Sequence, residues 1–219
     1  MTFKNRTEAG RQLAERLTRY ADQKNVLVLA LPRGGVPVAF EVAKELRAPL
    51  DVFVVRKLGV PGQEELAMGA IASGGVRVLN EDIIRHLGIF EDVIARVAVN
   101  EQRELERREF VYRGGRAAPG IAGKTIILVD DGLATGATMR AAVDAVKAQG
   151  PARVVVAVPT GAPDTVARLK KLVNEIVCLI TPMPFGGVGA WYDDFSQTSD
   201  REVQQLIKEA EELASEAPA

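Results

Sequence analysis

Four consecutive branched apolar residues, Ile126, Ile127, Leu128 and Val129, end abruptly in two adjacent carboxylates, Asp130 and Asp131. An unbroken apolar run of that length reads as a strand buried on both faces, as in a parallel sheet covered by helices. A small-residue loop follows over 132–138, and then an Ala-rich helical segment over 139–149. Strand, acid pair, Gly/Thr loop and helix in that order imply an α/β fold and a site for a sugar phosphate. The two carboxylates can accept hydrogen bonds from vicinal hydroxyls. The amides of Ala134, Thr135, Gly136, Ala137 and Thr138, opening a helix, suit a phosphate dianion. A ribose 5-phosphate satisfies both ends at once.

Two other phosphate loops are excluded. A P-loop requires a lysine after its last glycine, and none follows Gly136. The dinucleotide fingerprint Gly-x-Gly-x-x-Gly is absent here and at Gly34-Gly35. Acids near a helix N-terminus are also common as simple caps, but capping does not account for the whole pattern. Val129 to Thr138 resembles the phosphoribosyl pyrophosphate (PRPP) motif of the type I phosphoribosyltransferases: apolar residues, two acids, small residues, then Thr-Gly-x-Thr. The resemblance implies a Rossmann-like parallel sheet flanked by helices, with a β-hairpin flap, a helical insertion and a C-terminal hood.

Composition sets outer bounds. At 219 residues, 47% hydrophobic and 26% charged, the chain is globular and is expected to form a single domain over 1–219. The net charge of −1 offers no bulk attraction for nucleic acid. No apolar run approaches the roughly 20 residues that span a bilayer. The lone Cys178 sits in an apolar run and is compatible with a reducing, cytoplasmic location. His86 is the only histidine, which removes His-rich metal sites; with no visible partner it reads as a helix-surface or core residue.

Along the chain, Ala9, Leu13, Leu17 and Tyr20 recur at helical spacing, which predicts a helix over 6–22. Residues 26–31 read as a strand, 36–46 as a helix and 52–55 as the next strand, a right-handed βαβ unit. Residues 56–66 are polar and glycine-bearing. Two short strands, 67–71 and 76–79, suggest a hairpin flap. A helical insertion occupies 80–115. Its Glu/Arg-dense half, 100–109, reads as a solvated, salt-bridged face, and the insertion as a whole suggests a lid. Further strands are expected at 153–158 and 175–180, with a helix at 163–172. A hood loop spans 181–195, and a final helix covers 200–214.

The resemblance assigns roles to the remaining candidates. Pro32-Arg33-Gly34-Gly35, at the end of the first strand, is placed as the pyrophosphate-binding loop, with Arg33 as its fixed cation. Arg56 and Lys57 begin the mobile flap and would also meet pyrophosphate. The hood would bind the acceptor, with Phe185, Trp191 and Tyr192 available to stack on a flat base; the competing reading puts these aromatics in a small core under the loop. In 6-oxopurine phosphoribosyltransferases the residue before Thr-Gly is usually an acid facing the purine. Here it is Ala134, as in adenine phosphoribosyltransferases, which disfavours hypoxanthine–guanine salvage.

The chemistry so implied is displacement at the anomeric carbon of PRPP, with Arg33, Lys57, Asp130 and Asp131 as the catalytic set. Mg2+ would be carried by the substrate rather than held by dedicated protein ligands. The expected partners are PRPP and a small acceptor, with no nucleic acid and no membrane; a homodimer is left open. The alternative on the same fold is a regulator that binds PRPP without turnover. The mixed charge over 100–109 argues against phosphate-backbone binding.

Overall fold

A computed structural model describes residues 2–216. Helix α1 (Arg6–Glu15) starts from a reciprocal cap, in which the Asn5 side chain accepts from the Glu8 amide and Glu8 accepts from the Lys4 amide. The helix stops short of the expected 6–22. The chain tightens into a 3-10 turn at Thr18–Tyr20, which still buries Leu17 and Tyr20. Strand β1 (Val26–Ala30), helix α2 (Gly35–Leu46) and strand β2 (Leu50–Val52) form the first parallel unit. Strand β2 lies earlier than the expected 52–55 because Phe53 and Val54 lead out of the sheet into the flap.

The flap is larger than a hairpin. Strands β3 (Val55–Val60), β4 (Gln63–Ala72) and β5 (Val76–Leu79) make a three-stranded antiparallel sheet. The polar stretch 56–66 is therefore strand for most of its length. Its alternation was masked by Arg56 and Lys57, while Leu58, Val60 and Met68 turn inward and are buried.

Helices α3 (Glu81–Leu87) and α4 (Glu91–Arg113) form the insertion. His86 is on the exposed surface of α3. The charged face of α4 is laced by Arg107 and Arg108 to Glu104, as the sequence implies. Its C-terminal end is anchored rather than mobile. Arg113 Nε binds Asp51 at 2.8 Å and Nη2 donates to the Val52 carbonyl at 2.8 Å, both out of solvent, and Nη1 binds the partly buried Glu109 at 2.6 Å. Burial raises the Asp51 carboxyl pKa while Arg113 opposes the shift. Helix α4 is thus a brace between the flap and the edge strand, not a free lid.

Strand β6 (Thr125–Val129), helix α5 (Ala137–Lys147), strand β7 (Arg153–Thr160), helix α6 (Pro163–Lys170) and strand β8 (Glu175–Ile180) complete the main sheet; helix α7 (Asp200–Glu216) follows the hood. The sheet is all-parallel with strand order β2-β1-β6-β7-β8. Side chains alternate between two cores. Val28, Ala30, Ile127, Val129 and Val155 face α1, α2 and α7, while Leu27, Leu29, Ile126, Leu128 and Val156 face α5. Helix α2, after β1, and helix α5, after β6, cover opposite faces. The loops leaving these neighbouring strands therefore diverge and open a crevice at the strand C-termini, where open α/β sheets bind ligands. No helix among the described residues is long and apolar enough to cross a membrane.

Candidate active site

Both sequence-derived loops meet at that crevice. The β1 loop delivers Pro32 to Gly35 and the β6 loop delivers Asp130 to Thr138, held side by side by the Leu31 amide on the Val129 carbonyl at 2.9 Å. Their approach explains the two glycines. A Cβ on Gly34 would lie 2.1 Å from Asp131 Oδ2. One on Gly35 would lie 2.7 Å from the Val129 carbonyl oxygen and 2.9 Å from Asp130 Cα. Any larger residue would drive the loop off the acid pair.

Asp130 accepts the Asp131 amide on Oδ1 at 2.9 Å, and its carboxyl pKa is raised well above the ordinary range by burial and by the charge of Asp131. Burial also raises Asp131, but Arg6 works against that shift. Arg6 Nε contacts Asp131 Oδ2 at 2.9 Å, so Asp131 is the more readily ionised member. Two neighbouring acids, of which one resists ionisation, can offer a donor as well as acceptors to sugar hydroxyls.

The loop between β6 and α5 has a fixed backbone. Gly136 adopts φ +75° at the N-cap of α5, and a Cβ there would meet Thr165 Cγ2 at 2.5 Å. Thr165 donates to the Ala134 carbonyl at 2.8 Å and steadies the loop from α6. Ala134, Thr135, Ala137 and Thr138 stay exposed at the helix start.

The cations are distributed differently. Arg33 is half-buried, with Nη1 3.7 Å from Asp200 Oδ1, the oxygen that also accepts from the Tyr112 hydroxyl at 2.9 Å. Arg56 is engaged on α4, its Nε and Nη2 at 2.7 and 2.6 Å from Glu101 Oε2. Lys57 shares a groove of about 420 Å3 between the flap and α5 with Ala137, Arg140 and Asp144. Arg33 is therefore in the same loop cluster as the acid pair, whereas Arg56 ties the flap to α4.

The hood closes over the acid loop. Val188 lies where a Cβ on Gly132 would go, 2.5 Å away. The Trp191 indole donates to the Phe185 carbonyl at 2.8 Å, and both rings are half-buried. Of the two readings of Tyr192, stacking on an acceptor or packing under the loop, its burial fits the packing. Its ring is buried in a small core with Phe3 and Ala9, and its hydroxyl donates to the Asp131 carbonyl at 2.6 Å. Burial raises its pKa, which keeps that proton in place. Arg6, Glu101, Tyr112 and Asp200 were not singled out from sequence as site residues. Each sits on a helix, where a charged or polar residue is ordinary, and no local pattern reveals a partner so distant in the chain.

A protein-family model described as a phosphoribosyl transferase domain matches residues 3–194. The chain belongs to the phosphoribosyl transferase domain family. Within it, the chain is 52% identical over 219 residues to the Mycobacterium tuberculosis protein named "Putative phosphoribosyl transferase Rv0571c", covering 99% of this chain and 49% of that one. The chain thus spans about half the length of such curated relatives. Residues in a shorter stretch are 32% identical over 102 positions to the bifunctional protein PyrR of Brevibacillus brevis, 43% of this chain. The crystal structure of TT1426 from Thermus thermophilus superposes with a TM-score of 0.86 at 43% identity, covering 95% of this chain and 99% of that one. Family membership agrees with the parallel sheet, the flap and the loop pair at its crevice.

Proposed function

We propose that the protein transfers the 5-phosphoribosyl group of PRPP to a small acceptor, most simply a nitrogenous base, with release of pyrophosphate. The observation that carries this reading is the convergence of the acid pair and the glycine turn at the switch point, packed so closely that only glycine fits at 34 and 35. Asp130 and Asp131 bind the ribose hydroxyls, and the amides of 134–138 with Thr135 and Thr138 hold the 5-phosphate. The amides of Gly34 and Gly35, with Arg33, receive the pyrophosphate. Lys57 approaches from the flap, and Phe185 and Trp191 flank the acceptor side. The bond from the anomeric carbon to pyrophosphate oxygen breaks, and its electron pair leaves with pyrophosphate. A bond to the acceptor nitrogen forms, and that nitrogen loses its proton. The anomeric carbon passes through an oxocarbenium-like state, which the negative charge of the acid pair favours.

The oxygen-rich substrate suits a hard cation. Mg2+ bound with PRPP would neutralise pyrophosphate oxygens and so improve the leaving group. Ala134 in place of an acid disfavours 6-oxopurine acceptors and leaves adenine among the candidates. Family membership favours the transferase over a PRPP-binding regulator.

The test is a screen of bases and small amines with PRPP and Mg2+, reading pyrophosphate release. Acceptor-dependent release is expected, with Arg33→Ala depressing turnover more than PRPP affinity, because its contact strengthens as the bond breaks. Tight PRPP binding without release for any acceptor would replace this reading with the regulator.

A further inference from the structure

Arg6 opens α1, yet its guanidinium reaches two segments distant in sequence. Nε contacts Asp131 Oδ2 at 2.9 Å, Nη1 donates to the Ser196 carbonyl at 2.7 Å, and Cζ lies 3.9 Å above the centre of the Phe195 ring. Its side chain is only 11% exposed, so these contacts operate where water screens little. The backbone around Arg6 is sewn to the hood as well: the Phe3 amide donates to the Trp191 carbonyl, and the Asp193 and Asp194 amides donate to the Phe3 and Lys4 carbonyls. Tyr192 closes the circuit through its bond to the Asp131 carbonyl.

We propose that Arg6 is a positioning residue that couples the ribose subsite to the hood, by holding one oxygen of Asp131 while gripping residues 195 and 196. The inference rests on the reading of the acid pair as a ribose site. A guanidinium can serve both partners at once because its donors diverge in a plane and its face stacks on Phe195. Its charge also offsets one carboxylate in a site meant for a polyanion. When ribose hydroxyls engage Asp131, the orientation of that carboxylate and the grip of Arg6 change together, and segment 191–196 responds. By linkage, ordering of the hood by an acceptor strengthens PRPP binding to the same degree.

Trp191 is the only tryptophan, so its emission reports the hood directly. The experiment titrates wild type, Arg6→Gln and Arg6→Lys with PRPP–Mg2+, measuring affinity by calorimetry and the hood by Trp191 emission, with hydrogen exchange of 191–196 in parallel. Wild type should bind and show both hood responses. Arg6→Gln should bind on the order of tenfold more weakly, as for loss of one charge-assisted contact. Arg6→Lys keeps the charge and should bind within a few-fold of wild type while losing the hood responses, since an ammonium cannot fork to Asp131 and Ser196 and stack as well. A lysine variant that keeps the full emission and exchange response would overturn the coupling while leaving the ribose site intact. Wild type that fails to bind PRPP would overturn the coupling and the proposed function together. Circular dichroism and melting of both variants separate these outcomes from misfolding.

Discussion

Asp130→Asn removes a charge that the fold holds at a cost while keeping the shape of the side chain. The Asn oxygen can still accept the Asp131 amide, as Asp130 Oδ1 does at 2.9 Å. Burial and the neighbouring Asp131 raise the Asp130 carboxyl pKa well above its ordinary value of 3.8. The sign follows from linkage. The native state binds this proton more tightly than the unfolded chain, so no penalty exists below the unfolded value. As pH rises toward the raised native pKa, the unfolded chain ionises first and native stability falls. Each unit of separation corresponds to about 1.4 kcal/mol. Asp130→Asn is therefore expected to be the more stable protein at pH 7. The gain reads as a rise in Tm, about 2–4 °C for each kcal/mol in a domain of this size. The gain should shrink to a fraction of that at pH 4, and PRPP affinity should fall about ten- to a hundredfold. Thermal melts of both proteins across pH 4–7, with calorimetry against PRPP–Mg2+, make the comparison. A gain that is absent at pH 7, or equal at both ends of the range, would refute the account of the acid pair.

Three further outcomes follow from the structure. Arg113→Leu leaves Asp51 and Glu109 without their cation and should destabilise the protein by about 3–5 kcal/mol by urea denaturation; a loss under about 1 kcal/mol would show that water reaches the pair. Cys178 has its thiol pKa pushed up to about 12, chiefly by burial, so alkylation at pH 8 should be slower than in the urea-unfolded chain by roughly a thousandfold; equal rates would contradict that burial. Gly136→Ala puts a Cβ 2.5 Å from Thr165 Cγ2 at φ +75°, and should reduce binding of inorganic phosphate at the loop by more than tenfold while costing about 1–2 kcal/mol in stability; unchanged phosphate affinity would move the anion site elsewhere.

The parallel core was legible because its strands are continuous apolar runs and its loops carry Gly, Pro and acids, signals that are local. Asp130 to Thr138 could be placed on strand, loop and helix for the same reason. The flap was harder. Arg56 and Lys57 stand together ahead of Leu58 and Val60, and two charges before a short apolar pair read as loop until β4 is there to pair with them. The cations of the site were least legible. Arg33 could be placed on its loop but not beside Asp200, and Arg56 could be placed on the flap but not on Glu101. Tyr192 carried an aromatic signal that fits stacking and packing equally, and only its hydrogen bond to the Asp131 carbonyl decides between them.

The pairing of Phe3 and Lys4 with residues 191–194 has a consequence for the order of events during translation. The sheet can assemble once β8 has left the ribosome, and the phosphate loop is complete well before that. The segment bearing Phe3 and Arg6 is synthesised long before its partners and finds them only after Ser196 emerges. Until then Asp131 lacks Arg6, Tyr192 and the hood. A nascent chain with β8 outside the ribosome and residues 191–196 still inside it should therefore hold a folded sheet with an unfinished pocket, and acquire its final contacts within a short span of elongation.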